Sequence, residues 1–250
     1  MIIALYNLHY GKEWFKWSLR ALRDRVDEIY GFYVAKPSYG HSTDLPCPDS
    51  EEELRAATEG FNVHWVDFSP YHFRNEGHHR ETSIEYLKRQ YGDKMKVLIP
   101  LDADEVFEPR LLDHCLEFIQ DRPEVYWRVP MQHFWRSVKW VCRDASMPMR
   151  LMKMNGTDTR QEGYIHYGHG YIHHFGYAQR PDVIRYKMTV HGHKNEWRQG
   201  WYNDRFISWR PVLGDVHPTN VDFWTPAAFN PEEISHLIGD HPYFFQDLIE

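Results

Sequence analysis

From Ile2 to about residue 122 the chain alternates short apolar runs with stretches of helical periodicity. IIALYN, DEIYGFYVA, FNVHWVDF and KVLIP read as strands. GKEWFKWSLRALRDRV, SEEELRAAT, HHRETSIEYLKRQYG and EPRLLDHCLEFIQDRP read as the helices that follow them in turn. The first helix sets Trp14, Trp17, Leu19, Leu22 and Val26 near helical spacing, and the second opens on a Ser50–Glu53 capping pair. Such alternation predicts a mostly parallel sheet with helices on both faces. VLIPL is apolar without a break, as a strand buried on both sides must be.

Past residue 122 the pattern changes. VYWRVPMQHFW, MRLMKM and YIHYGHGYIHHFGY read as antiparallel strands of a second lobe. The tail from about residue 195 is rich in Trp, Pro and His and has little periodicity. The expected fold is therefore α/β, Rossmann-type over residues 1–122, with a smaller mixed lobe over 123–250 in one continuous domain. A chain of 250 residues is long enough for that.

Composition narrows the partners. Acids outnumber bases 36 to 29, and the net charge of −7 argues against a broad, salt-driven grip on nucleic acid. The 3 cysteines, Cys47, Cys115 and Cys142, are odd in number and lack metal-type spacing, so no disulfide framework or zinc knuckle is expected. No run approaches the ~18 apolar residues of a membrane span, and the first residues lack a secretory pattern. A soluble, cytoplasmic protein is expected. The 10 Trp invite two readings: core packing, which accounts for most Trp, and flat faces that stack on sugars or bases.

The chemistry concentrates where VLIPL runs into Asp102, Asp104 and Glu105. Ligands of parallel α/β sheets bind outside the carboxyl ends of the strands. Residues two apart on an extended segment point to one side, and like charges held there repel unless a cation joins them. Mg²⁺ or Mn²⁺ suits such oxygen donors, with substrate phosphates completing its shell. The bland alternative is a set of solvated acids at the start of the next helix.

Four stretches resemble the family 2 glycosyltransferases and their relatives of the A-type (GT-A) nucleotide-sugar transferase fold. They are IIALYN with its helix, SYGHSTD (38–44), RNEGHHRETSIEYL (74–87) and LDADE (101–105). LDADE in its context is the specific one. The resemblance implies transfer of a sugar from a nucleoside diphosphate to a hydroxyl acceptor, with inversion and with Mn²⁺ or Mg²⁺. It implies that Asp104 holds the metal, that Asp102 holds the metal, the ribose or both, and that the second lobe adds a ligand, His174 first and His191 or His193 next. The nucleoside would lie against Leu5, Tyr6, Asn7 and the 42–44 loop with Asp44. Asn75 and Arg80 would reach the donor from their helix, and Lys187 or Lys194 would close over the diphosphate.

Later matches are thinner. PMRLMKM (148–154) resembles a strand on the acceptor side, and EGYIHYGHGYIHHFGY the stretch that carries the base. Where the family often has His-Glu, this chain has His166-Tyr167. Base candidates are thus Glu162 and His166, then Asp144 and Asp158. Trp127, Trp135, Trp140, Trp197 and Trp201 are candidates for shaping the acceptor site. The acceptor stays open among glycan, lipid-linked sugar, protein side chain and hydroxymethylated DNA base. KWVCR, MRLMK and RQGWYNDRF are the basic stretches that DNA would need.

Three rival readings compete. A nucleotidyltransferase would need a Gly-rich loop after the first strand, and NLHYGKEWF has one Gly. A metal hydrolase would gather His191, His193, Asp215 and His217. A carbohydrate- or nucleic-acid-binding module would use none of the acids.

Overall fold

The computed structural model describes residues 1–37, 41, 43–142, 147–220 and 223–247. Strand and helix alternate as the sequence predicts: β1 (Ile2–Leu8), α1 (Lys12–Leu22), β2 (Glu28–Tyr33), α2 (Glu51–Ala56), β3 (Val63–Asp67), α3 (Glu76–Tyr91) and β4 (Val97–Leu101). The capping box at Ser50 and Glu53 is present. Then come β5 (Glu105–Phe107), α4 (Pro109–Phe118), β6 (Glu124–Arg128), β7 (Met131–Trp135), β8 (Ser137–Cys142), β9 (Met149–Lys153) and β10 (Asp158–Tyr164). The chain finishes through β11 (Ile172–Tyr177), α5 (Pro181–Val190), β12 (Pro226–Ala228) and α6 (Ser235–Ile238).

The large sheet has seven strands in the order β10-β6-β9-β4-β1-β2-β3. β3, β2, β1 and β4 run parallel, and β9 enters antiparallel between β4 and β6. A second, five-stranded sheet has the order β12-β8-β7-β11-β5. Two strands expected in the second lobe, β6 and β9, extend the first sheet instead, together with β10, for which no strand is expected, so both sheets draw strands from either side of residue 122. No helix among the described residues is long and apolar enough to cross a membrane.

β1 lies in the middle and is buried on both faces. Ile3 and Leu5 enter one core cluster, while Ala4, Tyr6 and Leu8 enter the other. This corrects the expectation that Leu5 and Tyr6 touch a donor: Leu5 is 1 % exposed and Tyr6 0 %, and the Tyr6 hydroxyl hydrogen-bonds Ser18 Oγ at 2.8 Å. Alternation along a central strand sends every side chain into one core layer or the other, so only the residues at its carboxyl end remain free to meet a ligand.

The tail owes its order to aromatic packing. Trp135, Trp201, Phe206, Trp209 and Trp224 form a third cluster, joined by short 3₁₀ turns and one π-helical turn, Tyr202–Ile207. Trp127, Trp135 and Trp201 are fully buried, and Trp140 and Trp197 pack against that cluster, so these five serve the core. Trp14 is sandwiched between Phe175 (3.9 Å) and His241 (3.7 Å), fixing α1 against the second sheet and the C-terminal region.

Beside Trp14, Glu13 is pushed up to about 7, chiefly by burial, with Arg180 3.7 Å away offsetting part of the rise. A carboxyl raised in the folded state stabilises fully below its unfolded pKa, and that contribution is lost as pH climbs to the folded value. Stability of the native chain relative to Glu13→Gln should therefore fall between about pH 4.5 and about pH 7. Urea unfolding of both proteins across that range tests this; parallel profiles would contradict it.

Candidate active site

From β1 the chain crosses to β2 on one side, while β4 lies on the other, so the strand order switches between β1 and β4. Such a switch point opens a crevice at the carboxyl ends of the strands. A cleft of about 320 Å³ lies there. Asn7, His9 and Tyr10 line it from the β1 loop, and Asp102, Ala103 and Asp104 from the β4 loop. α3 contributes Glu76, His79 and Arg80, and β11 contributes His174 and Tyr177. Lys187, Val190, His191 and Trp224 close the remaining side.

The three neighbouring acids have separate environments. Glu105 turns inward at 1 % exposure and takes Arg150 on both oxygens, at 2.6 and 2.5 Å. Burial lifts it to about 7 even so, with Arg150 pulling the other way. Asp102 opposes Arg150 at 3.2 Å and Arg80 at 3.6 Å. Burial disfavours its charge, but Arg150, Arg80 and Lys187 outweigh that and hold it below the usual carboxylate range. Asp104 has no Arg or Lys at ion-pair distance among the described residues; its Oδ2 accepts from Gln179 Nε2 at 2.7 Å. Burial raises its pKa, Lys187 partly offsetting and Asp102 adding to the rise. The charge clash is thus settled by two buried or half-buried guanidinium groups, and Asp104 is the acid left over.

Asp104 Oδ1 lies 3.6 Å from His174 Nε2, beyond hydrogen-bonding distance. His174 Nδ1 is 2.7 Å from His133 Nδ1. Burial first, then His133, Lys187 and Arg150, hold the His174 pKa far below its ordinary value, so the ring is neutral. With its proton on Nδ1, the Nε2 lone pair faces Asp104. A spacing of 3.6 Å fits two ligands on one ion, since two bonds of about 2.1 Å at an open angle span roughly that much. Among the described residues no group of three His, Cys, Asp or Glu closes on one ion. Asp102 and His191, expected as further ligands, thus do not join Asp104 and His174 around one point, and an ion held by these two alone would take the rest of its shell from substrate and water.

Room for such an ion depends on Gly176. A Cβ there would sit 2.3 Å from His174 Nε2 and 3.1 Å from Lys187 Nζ. Lys187 is itself fixed by donating to the Gly176 carbonyl at 3.1 Å. Gly176→Ala should displace both groups and weaken Mn²⁺ binding roughly 10- to 100-fold, the usual effect of disturbing a metal's supporting groups. Calorimetric titration of the folded variant with Mn²⁺ checks it; unchanged affinity would contradict the assignment.

The remaining predicted residues divide. Asn7 lines the cleft, its Oδ1 accepting from Ser83 Oγ at 2.9 Å. Arg80 and Lys187 line it as well, and so does His191, whose Nδ1 accepts the His193 amide. Asn75 is used as the cap of α3, accepting from the His78 amide at 2.8 Å, and does not line the cleft. Lys194 opens a short 3₁₀ turn, its amide donating to the His191 carbonyl at 3.0 Å, and does not itself line the cleft. Asp44 is exposed and outside the lining; Ser38–Gly40 and Ser42 of the same loop lie outside the described residues.

The structure places the expected bases elsewhere. Glu162 is exposed on β10, the edge strand of the large sheet, and pairs with Arg128 at 2.5 and 3.1 Å. His166 is exposed just beyond β10, its ring 6.4 Å from that of Phe118. Asp158, at the start of β10, caps local amides. Pairing β10 with β6 carries this whole stretch to the sheet margin, away from the switch point. Asp144 lies outside the described residues. Nor do His193, Asp215 and His217 line the cleft with His191; His193 pairs with Glu196 and Asp215 with Arg198.

Sequence reasoning missed several cleft residues. Glu76 reads as a helix N-terminal acid, yet it lines the cleft from its exposed edge. Gly11 adopts φ +122°, and a Cβ there would meet Ala103 Cβ at 3.0 Å, so the β1 loop can rest on the β4 loop. The Gly11 and Lys12 amides both donate to buried Asp49, at 2.6 and 3.0 Å, which anchors the loop from 37 or more residues away.

No family model matches the chain, and no curated protein does. Among solved structures it is similar to 4-diphosphocytidyl-2C-methyl-D-erythritol synthase from Anaerococcus prevotii, at 10 % identity and a TM-score of 0.41, over 74 % of this chain and 95 % of that one. It is also similar to residues 1–349 of TarS from S. aureus, at 8 % identity and a TM-score of 0.43, over 76 % of this chain and 64 % of that one. Overlaps this loose carry neither reaction nor substrate to this chain, and its chemistry has to be read from the cleft.

Proposed function

We propose that the chain is a metal-dependent glycosyltransferase, moving a sugar from a nucleoside diphosphate to a hydroxyl acceptor with inversion. The observation that supports it is the cleft itself: Asp104 and His174 at ligand spacing, with Arg80 and Lys187 in the same cleft. Asp104 and His174 would hold Mn²⁺ or Mg²⁺, which when bound supplies Lewis-acid neutralisation of a leaving diphosphate. Arg80 and Lys187 add fixed positive charge for the phosphate oxygens. Asn7, His9 and Tyr10, which line the cleft, would meet the nucleoside. Asp102, held ionised by its arginines, is suited to accept from ribose hydroxyls.

A base must lie within reach of the acceptor hydroxyl, hence in this cleft. Asp102 is engaged by Arg150 and Arg80, and Asp104 by Gln179 and the His174 side. Glu76 is the remaining lining carboxylate, and it stands open to solvent at the edge of the cleft, where an acceptor can approach it. We assign it the role first expected of Glu162 or His166. A cytoplasmic location and a hydroxyl-bearing acceptor, a glycan or a modified DNA base among them, belong to the same proposal.

The test is incubation with mixed nucleotide sugars and mixed acceptors in the presence of Mn²⁺, read by mass spectrometry. Product gaining one sugar residue, with release of nucleoside diphosphate and loss on chelation, is expected. Release of inorganic pyrophosphate from a nucleoside triphosphate would instead mark a nucleotidyltransferase.

A further inference from the structure

β11 presents neighbouring side chains to opposite faces of the second sheet. His174 faces the cleft, while His173 lines a second pocket of about 520 Å³. The register repeats the division on β7: His174 lies opposite His133, and His173 opposite Gln132, which also lines the second pocket. Nothing in the reaction proposed above uses this pocket.

Its polar groups are arranged in advance. Glu108 is 8 % exposed, its Oε2 3.2 Å from His173 Nε2 and its Oε1 3.3 Å from His236 Nε2. The His173 hydrogen bond holds Glu108 below the usual carboxylate range, so it is an ionised acceptor. Gln132 Oε1 and His173 Nδ1 are both buried without a hydrogen-bond partner among the described residues. His173 is only 3 % exposed, and buried polar atoms left unpaired in a pocket call for a ligand or water. Tyr171 and Phe229 add aromatic faces. Gly170, at φ +115°, lets the backbone close over Glu108, where a Cβ would come within 2.9 Å of Glu108 Cγ.

The charge selects among ligands. Glu108 and Glu233 face Arg110 as the only Lys or Arg in the lining, so the pocket has no surplus of positive charge for a phosphate or carboxylate. A carboxylate, a primary amide and an imidazole together match the paired donors and acceptors of vicinal hydroxyls, and an aromatic face matches a sugar's CH face. We propose that this pocket binds a neutral saccharide, on the face of the second sheet opposite the cleft. It stands apart from the sugar-transfer reading, because neither nucleotide nor metal enters it.

The test is isothermal titration and saturation-transfer NMR of the intact chain with maltotriose, cellotriose, lactose and tri-N-acetylchitotriose, without nucleotide or metal. Glucose 6-phosphate and a sialylated trisaccharide serve as charged controls. At least one neutral sugar should bind, and Gln132→Ala and Glu108→Gln should each weaken it roughly 10-fold or more, the scale of one lost hydrogen bond to a charged or buried group. Melting temperatures establish that both variants fold; if one does not, the other decides. Absence of binding, binding indifferent to both changes, preference for the charged controls, or displacement of the sugar by nucleoside diphosphate would each overturn the proposal. So would tight Zn²⁺ binding that needs Glu108 in a protein that takes no sugar.

Discussion

Arg150→Met should be the most damaging single change to the fold. The guanidinium is 10 % exposed and carries both oxygens of Glu105, itself 1 % exposed, with Asp102 on its outer side. Removing one partner of a buried pair leaves the other charge uncompensated, at about 3–5 kcal/mol. Glu105 already stands at about 7, so it will take up a proton at neutral pH, which limits the loss toward the lower figure. In a chain of this size about 2–4 °C of melting temperature corresponds to each kcal/mol, so a drop of roughly 6–12 °C is expected. Adding Glu105→Leu should recover most of it, because a buried pair replaced by apolar groups is often neutral. A single variant melting within a degree of the native chain would show that Arg150 does not hold the acids together. A double variant no better than the single would show that Glu105 is not the stranded group.

Asp104→Asn should separate function from stability. The amide keeps the shape and can still accept from Gln179, but it loses the charge that binds a cation. Turnover should fall more than the roughly 10–100-fold that follows loss of a supporting group around a metal. Stability should hold or rise, since burial already raises the Asp104 pKa and marks its ionised form as costly. Active-site groups kept against the interest of the fold behave in this way. Equal loss of stability and activity would mark Asp104 as a structural residue.

The first half of the fold could be read from the sequence because its signals are local. Apolar runs, helical spacing and the Ser50 cap each depend on neighbours a few positions away. The position of Asp102 and Asp104 followed from one rule about strand ends. What escaped notice depends on distant partners. Arg150 meets Glu105 across 45 residues, and Asp49 caps the β1 loop across 38, and neither spacing has a local signature. α5, which carries Lys187 into the cleft, has no counterpart among the helices expected from the sequence. Glu162 and His166 follow from resemblance to the family's base region, and resemblance along the sequence does not fix position in the fold. Pairing with β6 moved that stretch to the sheet edge. Tyr6 and Leu5, expected at a ligand, alternate into the two cores.

The central claim is that Asp104 and His174 share a divalent ion that binds together with a nucleoside diphosphate. Isothermal titration of the native chain with UDP, GDP, ADP and CDP, with and without Mn²⁺, tests it most directly. One nucleotide should bind with Mn²⁺ and lose most of its affinity when the metal is chelated or when Asp104 becomes Ala. Nucleotide binding that ignores both Mn²⁺ and Asp104, or no binding under any of these conditions, would contradict it.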